Sequence, residues 1–424
     1  MKKMFYLCMG LAMTAAMTAC DSNDEPEPVF PAPPVIEKSI EQGLNDASIR
    51  ISNAAASVWN DNTDENNIIS PLSMSMLLGM TANACTDDAC SEIMELFGLH
   101  AADLPLLNRN MADILTTSHD MPESALLFSN SMWLSDKYKF STNLNETVEK
   151  YYNATAQHAD LNSQSGADII SEWVNQDIKN KMEYSYSVSP MQDVNFMELS
   201  MLYFKADWME KFDKKNTTKK QFKNYDSSKS MVDMMKSSQE VAYAETERGD
   251  RFAKLYYKNR NITMSVYLPA DPADIDALSD FSAIYAYTFP ELNGSYFQNI
   301  GKYFQTSGDI SITMPLFELK RDINLKKVAE AVGINSIFET GESFAPGIIP
   351  NDSETPLAYL TDMDQVIDLT VNEDGAEIKV VSSGKDKGDM APGPVAGPLV
   401  LDRPFQFMVS AYGTVIAVGR IMKL

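Results

Sequence analysis

From Glu37 to Leu424 helical and strand periodicities interleave with no linker, repeat or low-complexity break. Such mixing predicts one large α+β domain rather than a regular βαβ array. Ile40, Leu44, Ala47, Ile51, Ala55 and Val58 recur at helical spacing and predict an amphipathic first helix. Ser70-Pro71 reads as a helix start, with Ser as cap and Pro in the first turn. The run Leu72 to Met80 is apolar on most faces, so that helix is expected to be buried. Ile262, Met264, Val266 and Leu268 alternate with polar residues, as do Ile310, Ile312 and Met314, which predicts half-buried strands. Leu325, Val328 and Val332 predict a helix ending at Gly333, and Phe405 to Val418 a terminal hairpin in the core.

One stretch departs from this texture. Between Val371 and Leu401 a polar start turns strand-like and then gives way to Gly, Pro, Lys and Asp from Gly384 to Pro398. Ala376, Ile378, Val380 and Ser382 would share one strand face, and Glu377, Lys379, Val381 and Ser383 the other. A loop this long inside a compact domain is uncommon and usually functional or disordered.

Charge removes a class of partners. The formal charge is −24, and −26 without Lys2 and Lys3, whereas nucleic-acid binding needs clustered cations. With three histidines, His100, His119 and His158, a multi-histidine metal site is not expected. The chain has no G-x-S-x-G, H-E-x-x-H, phosphate-loop, dinucleotide or calcium-loop motif. No catalytic group and no cofactor are expected, and the chain is read as a non-enzyme. Cys85 and Cys90, spaced C-x4-C, read as two thiols or as a small local disulfide, and not as a zinc site.

The N-terminus reads as an export signal, a basic start followed by an apolar stretch too short to be a good membrane span. Met17-Thr18-Ala19-Cys20 resembles a bacterial lipoprotein cleavage box. The resemblance implies removal of residues 1–19, lipid on Cys20 and an outer-membrane or cell-surface location; an ordinary secretory signal is the alternative. Residues 20–36 are acidic and proline-rich and predict an extended tether. Its acidic run resembles a surface-export tag, or is simply a spacer.

Across about 37–424 the ordered motifs resemble the serpin family. Asn67-Ile68-Ile69-Ser70-Pro71-Leu72-Ser73 is similar to its buried helix opening, and Asn130-Ser131-Met132-Trp133 and Trp173-Val174 to the blocks that follow. Leu202-Tyr203-Phe204-Lys205-Ala206-Asp207-Trp208 is similar to its central strand, and Met314-Pro315-Leu316-Phe317 to a later block. Val371-Asn372-Glu373-Asp374-Gly375 resembles the loop hinge, and Asp402-Arg403-Pro404-Phe405 with Gly419-Arg420 the closing signature.

The resemblance implies three β-sheets, about nine helices and an exposed reactive loop over about 373–403. A serine or papain-like cysteine endopeptidase would attack that loop. The cut loop would then enter the large sheet as a new strand and trap the enzyme. A monomer is expected. The implied hinge residues are Glu373, Gly375, Ala376, Glu377, Ile378 and Val380. Family spacing from Glu373 puts the scissile bond at Asp389-Met390, and Met390-Ala391 is chemically attractive. Three departures stand out. Ile378-Lys379-Val380-Val381 replaces a run of alanines, Gln365 replaces a His, and Ser200 replaces an Asn. Insertion would also bury Asp386. The second reading is a non-inhibitory surface binding protein whose loop is cut without trapping.

Overall fold

The computed structural model describes residues 29–59, 65–177, 185–187, 194–290, 303–377 and 397–424. Pro31–Leu424 form one compact unit, and Met1–Phe30 fall in another, of which Val29 and Phe30 are described. Nine α-helices lie among the described residues. They are α1 (Lys38–Trp59), α2 (Pro71–Ala84), α3 (Asp87–Leu96), α4 (Leu104–Leu115), α5 (Thr142–Tyr152), α6 (Gln164–Asp177), α7 (Ile275–Ser279), α8 (Ser282–Thr288) and α9 (Lys326–Ala331).

Among the described residues the strands form three sheets of seven, nine and two. The seven-stranded sheet runs β12 (Phe317–Asn324), β14 (Asp362–Val371), β15 (Gly375–Glu377), β6 (Phe196–Asp207), β3 (Ser124–Leu134) and β2 (His119–Asp120), with β5 (Ala154–His158) also on β3. The nine-stranded sheet runs β1 (Asn67–Ile69), β18 (Thr414–Ile421), β17 (Phe405–Ala411), β10 (Ile262–Leu268), β9 (Arg251–Tyr256), β8 (Lys229–Thr246), β11 (Tyr303–Pro315) and β16 (Leu399–Val400). β7 (Thr218–Lys223) joins it on β8, and β13 (Ile348–Pro350) pairs β4 (Tyr138–Phe140).

Helix α2 is the pivot of the core. Ser70 caps it through Oγ, which accepts from the Ser73 amide at 3.2 Å. Pro71 fills the first turn, where a missing N–H costs nothing. All of its residues but Asn83 are buried, as its apolar faces predict, because it packs against both β6 and β18. The terminal hairpin β17–β18 turns at Tyr412 and Gly413, both at positive φ, the backbone that two-residue hairpin turns require.

One expectation shifts, and of the two readings of the cysteines the structure has the thiols. Helix α9 covers only Lys326–Ala331, with Val332 as its C-cap residue and Gly333 at φ 99° just beyond. Cys85 and Cys90 stand on different segments, the C-cap of α2 and helix α3, and both are free thiols.

Candidate functional site

The centre of the seven-stranded sheet is not uniformly paired. β14 and β6 run parallel and pair directly from Asp362↔Met197 to Val366↔Met201. Above Val366 they part, and the chain itself enters the gap. β15 lies antiparallel to both, with Ala376 opposite Ala206 on one side and Val371 on the other. Glu377 continues the ladder through its backbone, opposite Lys205 and Thr370.

The turn into β15 follows from its residues. Asn372 Oδ1 accepts from the amides of Asp374 and Gly375 at 2.9 and 3.2 Å, and the Asn372 amide donates to the Gly375 carbonyl at 2.9 Å. Gly375 is dictated by space, since a Cβ there would sit 2.0 Å from the Ala206 carbonyl oxygen. Ala376 is fully buried.

The turn is also tied to the end of β6. Trp208 Nε1 donates to the Asn372 carbonyl at 2.9 Å, and the Trp208 amide to that of Asp374 at 3.0 Å. The Trp208 ring stacks on Tyr257 with centroids 4.4 Å apart. Glu373 is buried and accepts from Thr217 Oγ1 at 2.7 Å, while its carbonyl accepts from the Phe212 amide at 3.0 Å. Asp374 pairs with Lys214 at 2.8 Å and Lys211 at 3.5 Å. Burial alone would raise its carboxyl pKa, but the two lysines outweigh burial and hold it below the usual carboxylate range.

Lower down, a polar row crosses the sheet. Ser200 lies opposite Asn130 on β3 and Gln365 on β14, and all three are buried. Ser200 Oγ donates to Asn130 Oδ1 at 2.7 Å. Gln365 clasps the cap of α2, accepting from the Ser70 amide and donating to the Ser70 carbonyl, both at 2.8 Å. Gln365 and Ser200 thus face each other in the parallel β14–β6 ladder, and each has a side-chain hydrogen-bond partner. Two residues along β6, Glu198 is fully buried on the same face. Burial pushes its carboxyl pKa up to about 8, against a lowering by the Thr81 hydroxyl at 2.7 Å.

Of the sequence-predicted residues, Glu373, Gly375, Ala376 and Glu377 meet at the top of the sheet. Ile378, Val380, Asp389, Met390, Ala391 and Cys20 lie outside the described residues. The expectation of a loop exposed from Glu373 needs correcting. Gly375 and Ala376 are buried because the gap above Val366 accepts them as the start of β15, and Glu373 is buried in the turn before it. The loop returns at β16, which pairs parallel with Ile312 and Thr313 of β11. Sequence reasoning missed Glu198, Lys211 and Lys214. Glu198 carried a signal, an acid at an inward position of the apolar run Phe196 to Phe204.

Comparisons agree with this geometry. Residues 45–424 match the model of a family described as Serpin (serine protease inhibitor). The chain is 26% identical to Iripin-3 of Ixodes ricinus, over 85% of this chain and 89% of that one. It is 23% identical to human neuroserpin, over 90% and 91%. The solved structure of Serpin48, from the insect Tenebrio molitor, superposes with a TM-score of 0.74 at 17% identity, covering 92% of this chain and 99% of that one. With a family model that matches residues 45–424, nearly the whole fold, the chain belongs to the serpin family.

Proposed function

We propose that the protein is a suicide-substrate inhibitor of serine, or papain-like cysteine, endopeptidases, exported and held at the cell surface through lipid on Cys20. The family is one of peptidase inhibitors. The observation that carries the finer reading is Ala376, already seated between Ala206 and Val371 at the mouth of the gap.

The inserted state follows by continuing the register of β15. Ile378 would face Phe204 and Leu369, and Val380 would face Leu202 and Ile367. Burying these two side chains contributes roughly 1.5–3 kcal/mol each. Ser382 would reach the polar row of Ser200 and Gln365, and Gly384 would lie beside Glu198. The loop thus offers small or polar residues where the sheet's inward face is polar. Asp386 would come opposite Phe196, which places the unfavourable residue last. Insertion must break the five-pair parallel ladder Asp362–Val366 with Met197–Met201 and replaces it by two antiparallel ladders. Each added hydrogen bond contributes about 0.5–1.5 kcal/mol net.

The chain starting after Cys20, mixed with a panel of serine and cysteine peptidases, should give an SDS-resistant band at the summed mass. Mass spectrometry of the released tail should place the cut at Asp389-Met390 or Met390-Ala391. Cleavage without adduct across the panel would leave the non-inhibitory reading.

A further inference from the structure

Nine lysines against five acids stand between residues 205 and 236 of a chain whose formal charge is −24. The fold gathers the middle of this stretch on one hairpin. Every residue of β7 except Phe222 is exposed. One face of β7–β8 pairs Lys219 with Asp233, Gln221 with Met231 and Lys223 with Lys229. Lys219 and Asp233 form an ion pair at 3.2 Å. Lys223 and Lys229 oppose each other with no acidic partner among the described residues. Between these pairs Met231 is 58% exposed.

Neither feature helps the fold. Like charges directly across a ladder destabilise it, and an exposed methionine gains nothing from burial. The place explains both. The Lys223 amide donates to the Asp402 carbonyl at 2.8 Å, two residues past β16, where the loop returns to the sheet. At the loop's other root, Lys211 and Lys214 hold Asp374.

We infer that the Lys223–Met231–Lys229 face is a docking surface for an acidic patch on the target peptidase. The inference rests on reading the loop as peptidase bait. An enzyme engaged on the loop must stand near its roots. The strongly negative inhibitor repels an acidic protein elsewhere, so a local cationic face is where approach is fastest. An apolar centre with a charged rim is the anatomy of a protein contact rather than of a polyanion track.

The test uses a broad-specificity subtilisin and a variant of it with several extra surface acids, reading loop cleavage against time. At low ionic strength the acidified enzyme should cut the wild-type chain about tenfold faster than Lys223→Glu/Lys229→Glu. High salt should close the gap, and the parent enzyme should show no such preference. Lys223→Glu alone places opposite charges across the hairpin, so its melting temperature should hold or rise while its rate falls. A merely structural role would move both together. Equal rates for the two chains, or a difference that survives high salt, would overturn the inference. So would heparin that binds wild type but not the double variant while cleavage rates stay equal. Covalent adduct is scored on the same gels: missing adduct with the rate difference intact counts against trapping, not against docking.

Discussion

Glu198 and Thr81 meet at 2.7 Å, in the one hydrogen bond among the described residues that reaches this fully enclosed carboxyl of the seven-stranded sheet. Thr81 Oγ1 also lies 3.0 Å from the Leu77 carbonyl, so its single proton faces two acceptors. A protonated Glu198 resolves this by donating. The other groups that feel this acid are the Cys85 thiol and the Tyr152 hydroxyl, both also pushed up by burial, and no base is among them.

The sign of the pH effect follows. Below about pH 4.5 the carboxyl is protonated folded and unfolded; between there and about 8 only the unfolded chain loses its proton. Folding stability therefore falls by about 1.4 kcal/mol per pH unit across that window from this group, and levels off above it. Glu198→Gln should flatten the slope and unfold at higher urea than wild type at pH 8. Parallel urea midpoints for the two chains from pH 5 to pH 8 would refute the assignment.

Ala376→Arg should leave the fold intact and abolish trapping. The guanidinium cannot be housed between Ala206 and Val371 without an unpaired buried charge. The expected readout is a shift from SDS-resistant adduct to cleaved chain, with a lower urea midpoint because residue 376 is already buried in the resting sheet, but a single cooperative transition that shows the fold retained. Adduct formed at the wild-type yield would remove insertion from the mechanism.

Gln365→Ala should cost about 1–3 kcal/mol, because the buried Ser70 amide loses its acceptor. Gln365 also stands in the ladder that must break before the sheet opens, so the same change should speed loop insertion. Urea unfolding reads the first effect, and the rate of adduct formation in stopped-flow reads the second.

Asp374 behaves in the opposite sense to Glu198. Its folded carboxyl pKa is held below the usual value once Lys214 and Lys211 offset burial, so its contribution is present at neutral pH. It is lost as pH falls through the folded value. Amide protection at Gly375 and Ala376 should drop on acidification from about pH 5 to about pH 3. In Asp374→Asn the drop should be absent and protection lower throughout.

Much of this fold is legible because its signals are local. The Ser70-Pro71 start, the alternation of Ile262 to Leu268 and the terminal hairpin each need only a few neighbouring residues to be read. The turn into β15 was singled out too, through the resemblance of Val371 to Gly375 to the family's loop hinge. What could not be read is register across the chain. Nothing local tells that Ala376 finds Ala206, or that β14 and β6 stay closed only from Asp362 to Val366. Glu198 was visible as an acid among apolar residues, but its isolation depends on Thr81 and Cys85, over a hundred positions away. The lysines of β7 were hidden by the overall charge, which averages away a patch.

Trp208 gives the hinge an optical voice. Its indole N–H is bound to the Asn372 carbonyl and its ring lies flat on Tyr257, so its emission is set by the turn that launches the loop. Of the four tryptophans, Trp59, Trp133 and Trp173 pack on other neighbours, Phe281 for the first and each other for the remaining two. Withdrawal of the hinge frees the Trp208 indole, and its emission should move to the red. Unlabelled protein then reports, in real time and in a cuvette, whether the hinge is seated or withdrawn.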